Sequence, residues 1–150
     1  MILYLDSSAL VKFYLEERGS AEVQDVYRNA EQAGTVLIAR AEVSAGLAKA
    51  HRMGLVSEES ARKARSLFHK EWPKIIHVAV SETLTSRADD LAWAHGLRGY
   101  DAVHLAAALL WQESINLPIS VATFDTNLWE AASNVGLQYW PESLTPFIGT

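Results

Sequence analysis

Leu3-Tyr4-Leu5 runs directly into Asp6-Ser7-Ser8-Ala9-Leu10, and this junction of a short apolar run with a polar helix start constrains the fold most. An apolar run of this length bounded by a charge reads as a buried strand that stops at a sheet edge. Related junctions return at Gly99-Tyr100-Asp101-Ala102-Val103-His104 and at Ala122-Thr123-Phe124-Asp125. In each, a carboxylate sits where an apolar run ends or a helical pattern begins. In α/β proteins the carboxyl ends of parallel strands, with the helix starts beside them, form the ligand crevice.

The remaining pattern alternates strands and helices. Ile2–Asp6 reads as a strand, followed by a helix with Ala9, Leu10, Phe13 and Tyr14 on its apolar face, ending near Gly19. Ser7 or Ser8 is its expected cap. A second helix is predicted from Ser20 to Ala33 with Gly34 as its stop, then a strand over Thr35–Ala39. Helices follow over Arg40–Met53 and from Ser57 to Trp72, the second stopped by Pro73. Next come a strand at Ile75–Val80, a helix at Ser81–His95 and the most apolar helix of the chain, Tyr100–Glu113. Pro118–Phe124 is a fourth strand, Asn127–Ser133 a short helix and Leu137–Trp140 a last strand. Strands separated by helices imply a single domain over residues 1–150, a three-layer α/β/α sandwich with a mostly parallel central sheet. The segment 141–150 is expected to pack along an edge.

Composition removes several kinds of chemistry. The chain has no cysteine, so disulfides, zinc–thiolate sites and thiol nucleophiles are out of reach. No apolar run is long enough to span a membrane, and the charge at Asp6 comes too early for a signal peptide, so a cytoplasmic protein is expected. Histidines without HxH or HxxxH spacing give no support to a histidine metal site. A Gly-x-Ser-x-Gly elbow, a phosphate-cradling glycine loop and a dinucleotide fingerprint are all missing. The net charge is −5, yet the stretch from Lys49 to Lys74 holds seven basic residues against three acids. A basic stretch on an acidic body can hold a phosphate backbone, or it can be a solvated helical face.

Asp6, Glu42, Asp101 and Asp125 share one placement: two follow strands and two open helices, all at the same edge if the sheet is parallel. Each has a local alternative as a turn, a helix cap or a helix-dipole charge. Together they would repel one another in one crevice, and a hard divalent cation relieves that. His104, one turn beyond Asp101, is either a core-edge histidine or a hydrogen-bond partner of that carboxylate. Phe13, Tyr14, Val26 and Tyr27 are candidates for contact with a second copy or a partner.

Leu5-Asp6-Ser7-Ser8-Ala9-Leu10-Val11-Lys12, Arg40-Ala41-Glu42-Val43-Ser44-Ala45-Gly46-Leu47, Leu97 to Ala108 and Val121-Ala122-Thr123-Phe124-Asp125 occur in the order seen in PIN domains. Over essentially its whole length the chain resembles that family, and within it the VapC-type toxins of toxin–antitoxin pairs. The resemblance implies a ribonuclease that uses Mg²⁺ or Mn²⁺, with Asp6, Glu42, Asp101 and Asp125 as catalytic and metal-binding acids. Asp6 and Asp101 would be the principal ligands, with Ser7 and Thr123 as supporting hydroxyls. By charge and position, Lys49 and Arg52 in the basic stretch are candidates for holding RNA, and Arg40, two residues before Glu42, either approaches a scissile phosphate or pairs with an acid. The resemblance also implies a cognate antitoxin that inserts a segment into the acidic groove, and a homodimer. Asn127 stands where many relatives carry a further acid, which leaves one or two metals open. The competing readings are a PIN-like nuclease outside a toxin pair, acting in RNA processing or on DNA, and a non-catalytic binding module. Receiver or hydrolase domains share an Asp after the first strand but lack the placement of Glu42 and Asp101.

Overall fold

Strand β1 (Ile2–Leu5) is buried along its whole length because it is the middle strand of a five-stranded sheet. The computed structural model describes residues 1–148. Helices α1 (Ser7–Tyr14) and α2 (Ser20–Arg28) lead to β2 (Gln32–Val36), and α3 (Ala39–Arg52) and α4 (Glu58–Glu71) lead through a 3-10 turn to β3 (Ile76–Val78). The antiparallel pair α5 (Glu82–His95) and α6 (Gly99–Ile115) precedes β4 (Ile119–Ala122), and α7 (Thr126–Asn134) precedes β5 (Gln138–Trp140). The sheet order is β3-β2-β1-β4-β5, and every neighbouring pair is parallel. The expected sandwich is therefore present, with a wholly rather than mostly parallel sheet.

This order has one reversal. The chain builds outward from β1 to β3, then returns to lay β4 on the other side of β1. Loops leaving β1 and β4 at their carboxyl ends diverge there, which opens the crevice. Helices α1 to α4 pack on one another, while α5, α6 and α7 form a second group in which α6 lies against β2 and β4. Helix α6 is apolar nearly all round, as the sequence predicts for a central helix, and buries Ala102, Leu105, Ala106, Ala107, Ala108 and Trp111. It thereby carries Asp101 and His104 into the interior.

Helix α2 ends at Arg28, and Gly34 is a residue of β2 rather than a helix stop, paired with Tyr4 and Ile76. The close approach of α6 requires a glycine at that point, because an added Cβ would lie 2.8 Å from the Trp111 ring. The strand therefore falls three residues earlier than predicted, and the acid-bearing helix begins at Ala39. The cap of α1 is neither Ser7 nor Ser8 but Asp6, which accepts from the Ala9 amide at 2.9 Å. A carboxylate answers the positive end of a helix more strongly than a hydroxyl does.

Phe13, Tyr14 and Tyr27 join one another edge to face, and Tyr14 meets Phe68 in the same way, so α1, α2 and α4 share an aromatic cluster. These side chains, with Val26, are partly buried against the core and so are less available for a partner than expected. The end of the chain packs as predicted: the Trp129 indole donates to the Pro141 carbonyl at 2.7 Å, and Phe147 lies edge-on to Phe124. Gly149 and Thr150 lie outside the described residues.

Candidate active site

Asp6 leaves β1 at the reversal point, and its backbone amide donates to the Ala122 carbonyl of β4. Its side chain is buried, 3% exposed, and accepts three hydrogen bonds. Oδ1 accepts from the Ala9 amide and, at 2.7 Å, from the Ser8 hydroxyl; Oδ2 accepts from the Thr123 hydroxyl at 2.5 Å. Thr123 in turn accepts from the Asp125 amide at 3.0 Å, and Ser8 accepts from the Phe124 amide, also at 3.0 Å. One pair of hydroxyls thus ties the β1 and β4 carboxyl ends together and fixes the direction of the Asp6 carboxylate. Thr123 and Ser8 both donate to Asp6, while Ser7 lies on the side of Glu42 and His104.

Glu42 lies in the first turn of α3 and receives His104 Nε2 at 2.8 Å. An ionised carboxylate only accepts, so Nε2 carries a proton, and in the neutral ring Nδ1 accepts from the Tyr4 hydroxyl at 2.7 Å. Ser7 also reaches Nε2, at 3.2 Å. His104 is therefore not a partner of Asp101, nor merely a core-edge residue: it is buried, and it links β1 to Glu42. The i,i+3 spacing to Asp101 pointed to the wrong carboxylate, because the imidazole turns inward toward Tyr4. His104→Leu removes the partner of both Tyr4 and Glu42, and a destabilisation of about 1–3 kcal/mol is expected in urea unfolding. His104→Gln, able to donate, should recover part of it.

Asp101 opens α6 at 9% exposure, and Asp125 caps α7 by accepting from the Leu128 amide at 3.0 Å. A residue absent from the sequence reading joins them. Arg98, the N-cap residue of α6, donates from Nε to Asp101 Oδ2 at 3.0 Å and from Nη2 to Asp125 Oδ2 at 2.9 Å. Its i,i+3 spacing to Asp101 was the available signal. The four acids thus belong to one linked set: Asp6 through Thr123 to Asp125, Asp125 through Arg98 to Asp101, and Glu42 through His104 to Ser7, the neighbour of Asp6.

The basic candidates are dispersed. Arg40 is exposed in the first turn of α3, with its guanidinium 6.0 Å from the Trp72 ring centre. Lys49 and Arg52 are exposed farther along α3. At 1.5 Å per residue their backbones stand about 10 Å and about 15 Å along the helix from Glu42. None of the three makes a hydrogen bond or ion pair with the acidic set among the described residues.

Burial pushes the Asp6 carboxyl above its ordinary range, against the opposing pull of His104 and of donors from Thr123, Ala9 and Ser8. Burial likewise raises Asp101, opposed by the Arg98 hydrogen bond and reinforced by the charge of Asp125. For Glu42 burial acts in the same direction, but the hydrogen bond and electrostatic pull of His104, with Ser7, outweigh it and hold the carboxyl below its ordinary range. The signs differ accordingly. A raised carboxyl binds its proton more tightly in the folded state, so its contribution weakens as pH rises from the ordinary aspartate range through the raised value. Glu42 contributes at neutral pH and loses that contribution as pH falls through its depressed value. In metal-free protein, Asp101→Asn should therefore gain stability relative to wild type as pH rises from about 4 to 7. Urea midpoints at the two ends of that window measure the difference.

The donor set consists of carboxylate oxygens, the hard ligands that Mg²⁺ and Mn²⁺ take, and burial pushes two of these carboxyls, Asp6 and Asp101, above their ordinary range. Among the described residues no three His, Cys, Asp or Glu side chains form a ready-made cage. Mg²⁺ commonly takes only one or two protein carboxylates and keeps several waters, so the donors suit it in kind.

Comparison with known proteins gives this arrangement a family. The PIN-domain model matches residues 3–134. The chain is 34% identical over 146 residues to Ribonuclease VapC45 and to Ribonuclease VapC49 of Mycobacterium tuberculosis, covering 97% of this chain and 99% of each relative. The chain is a PIN domain of the VapC family. Solved structures with the same fold include VapBC2 from Rickettsia felis bound to a DNA fragment from its promoter, at TM-score 0.61 and 15% identity, covering 94% of this chain and 100% of that one. A toxin–antitoxin complex from Klebsiella pneumoniae matches at TM-score 0.59 and 19% identity, covering 83% of this chain and 87% of that one. In this PIN domain no helix among the described residues is long and apolar enough to cross a membrane.

Proposed function

We propose that this PIN domain is a metal-dependent endoribonuclease and the toxin of a VapBC-type pair. The observation that carries the reading is the linked set of Asp6, Glu42, Asp101 and Asp125 at the reversal point of the sheet. Asp6 and Asp101 are the proposed principal ligands of Mg²⁺ or Mn²⁺, with Asp125 and Glu42 acting directly or through water. When bound, the cation would neutralise charge on the scissile phosphate and make water a better nucleophile near neutral pH. Thr123 and Ser8 hold the Asp6 oxygens in fixed directions. His104 holds Glu42 ionised and oriented, so that Glu42 stays an anionic acceptor for a cation or a cation-bound water at neutral pH. Exposed Arg40 at the start of α3, with Lys49 and Arg52 beyond it, supplies positive charge along which an RNA backbone can lie.

An antitoxin partner is supported by the toxin–antitoxin complexes among the solved structures of this fold. Homodimerisation and a cytoplasmic site of action rest on the family resemblance. The test is incubation of the purified chain with total cellular RNA in chelator, then in Mg²⁺. Cleavage that appears only with Mg²⁺ is the expected result, and cleavage unaffected by chelator would remove the metal from the reading.

A further inference from the structure

We propose that Arg98 is a built-in counter-cation that holds Asp101 and Asp125 together in the metal-free protein and must leave them when a divalent cation binds. The inference rests on the metal-dependent reading above. Arg98 spends its Nε and Nη2 donors on one oxygen of each acid, Asp101 Oδ2 and Asp125 Oδ2. The other Asp125 oxygen accepts from the backbone amide of Leu128, which is fixed as the cap of α7, whereas the oxygen facing Arg98 is held only by an exposed side chain that can move. A guanidinium and a divalent cation on the same two oxygens repel one another at contact distance, so they compete for Asp101 Oδ2 and Asp125 Oδ2.

The geometry also provides the exit. The Arg98 side chain is 75% exposed while that of Asp101 is 12% exposed, so the cation lies on the solvent side of the acid it covers. It can swing outward by rotating its own side chain, with its backbone held as the N-cap residue of α6. Stability is a weak reason for such an arrangement, because an exposed ion pair adds little to folding. Charge balance is a better one: two neighbouring carboxylates, one buried, need a cation, and Arg98 provides it until a metal replaces it. The site is thereby kept in order without metal, at the cost of weaker metal affinity.

Titration of the metal-free full chain with Mn²⁺, reading free Mn²⁺ by electron paramagnetic resonance, tests this without any substrate. Arg98→Gln is expected to bind Mn²⁺ about fivefold more tightly than wild type, the scale of releasing exposed ion-pair contacts. Arg98→Lys, which keeps the charge and loses the fork, should fall between them. Metal-free Arg98→Gln should melt at a lower temperature than wild type and regain more on adding Mn²⁺. Equal or weaker Mn²⁺ binding by Arg98→Gln, with binding in wild type abolished by Asp101→Asn, would overturn the role of Arg98 and leave the metal site standing. No Mn²⁺ binding by folded wild type or Arg98→Gln would overturn the metal reading, and this inference with it.

Discussion

Asp6→Asn is expected to lower RNA cleavage by about 10²–10³-fold or more, the scale of losing one charge-stabilising group at a reacting centre, while the protein stays folded. The two halves of this expectation have different origins. Asparagine is nearly the same shape, and its Oδ1 can still accept from the Ala9 amide, so α1 keeps its cap. Its Nδ2 faces Thr123 Oγ1 as a donor where the carboxylate accepted, which reverses one hydrogen bond without removing it. The anionic oxygen offered to a cation is lost. Burial already holds the Asp6 carboxyl above its ordinary range, so neutralising it relieves a cost rather than creating one. Single-turnover cleavage and urea unfolding of the same preparation separate the two: the rate falls and the midpoint holds or rises. A midpoint that collapses along with the rate would make Asp6 a structural cap first.

Gly34→Val is expected to destabilise the fold by about 2–3 kcal/mol, the upper range for overfilling a packed interior. Gly34 is buried in β2 between Tyr4 of β1 and Ile76 of β3, and an added Cβ would lie 2.8 Å and 2.9 Å from two atoms of the Trp111 ring and 3.1 Å from the Ile76 Cβ. Valine suits a strand by propensity, so a loss on substitution isolates the close approach of α6. Because α6 carries both Asp101 and His104, displacing Trp111 also disturbs the acidic set. Activity should therefore fall even at temperatures where the variant remains folded. Unfolding in urea checks the first effect and cleavage at low temperature the second; a wild-type midpoint would mean that Trp111 yields without cost.

The residues that anchor the site were legible in the sequence because each stands at a local boundary. Asp6 and Asp125 follow strands whose apolar runs are plain, and Asp101 opens a helix apolar enough to be read as central. What pattern could not supply was partnership across the fold. Tyr4 and His104 are a hundred residues apart, and only the position of α6 over β1 makes them partners. Arg98 was given no role from the sequence, because its bond to Asp125 depends on where β4 ends, which no spacing records. Gly34 was misread because glycine is a common helix stop, whereas here the neighbouring helix required the missing side chain. Of the local roles open to Asp6, the structure shows the helix cap, with Oδ1 on the Ala9 amide and Oδ2 on the Thr123 hydroxyl.

The central claim is that these four acids form a metal-dependent RNA-cleaving centre. It is tested most directly by mapping new 5′ ends in total RNA treated with wild type or Asp101→Asn, in Mg²⁺ and in chelator, with unfolding curves confirming that both proteins are folded. The account predicts discrete ends that require both Mg²⁺ and Asp101. The same ends from folded Asp101→Asn, or none from folded wild type in Mg²⁺, would contradict it.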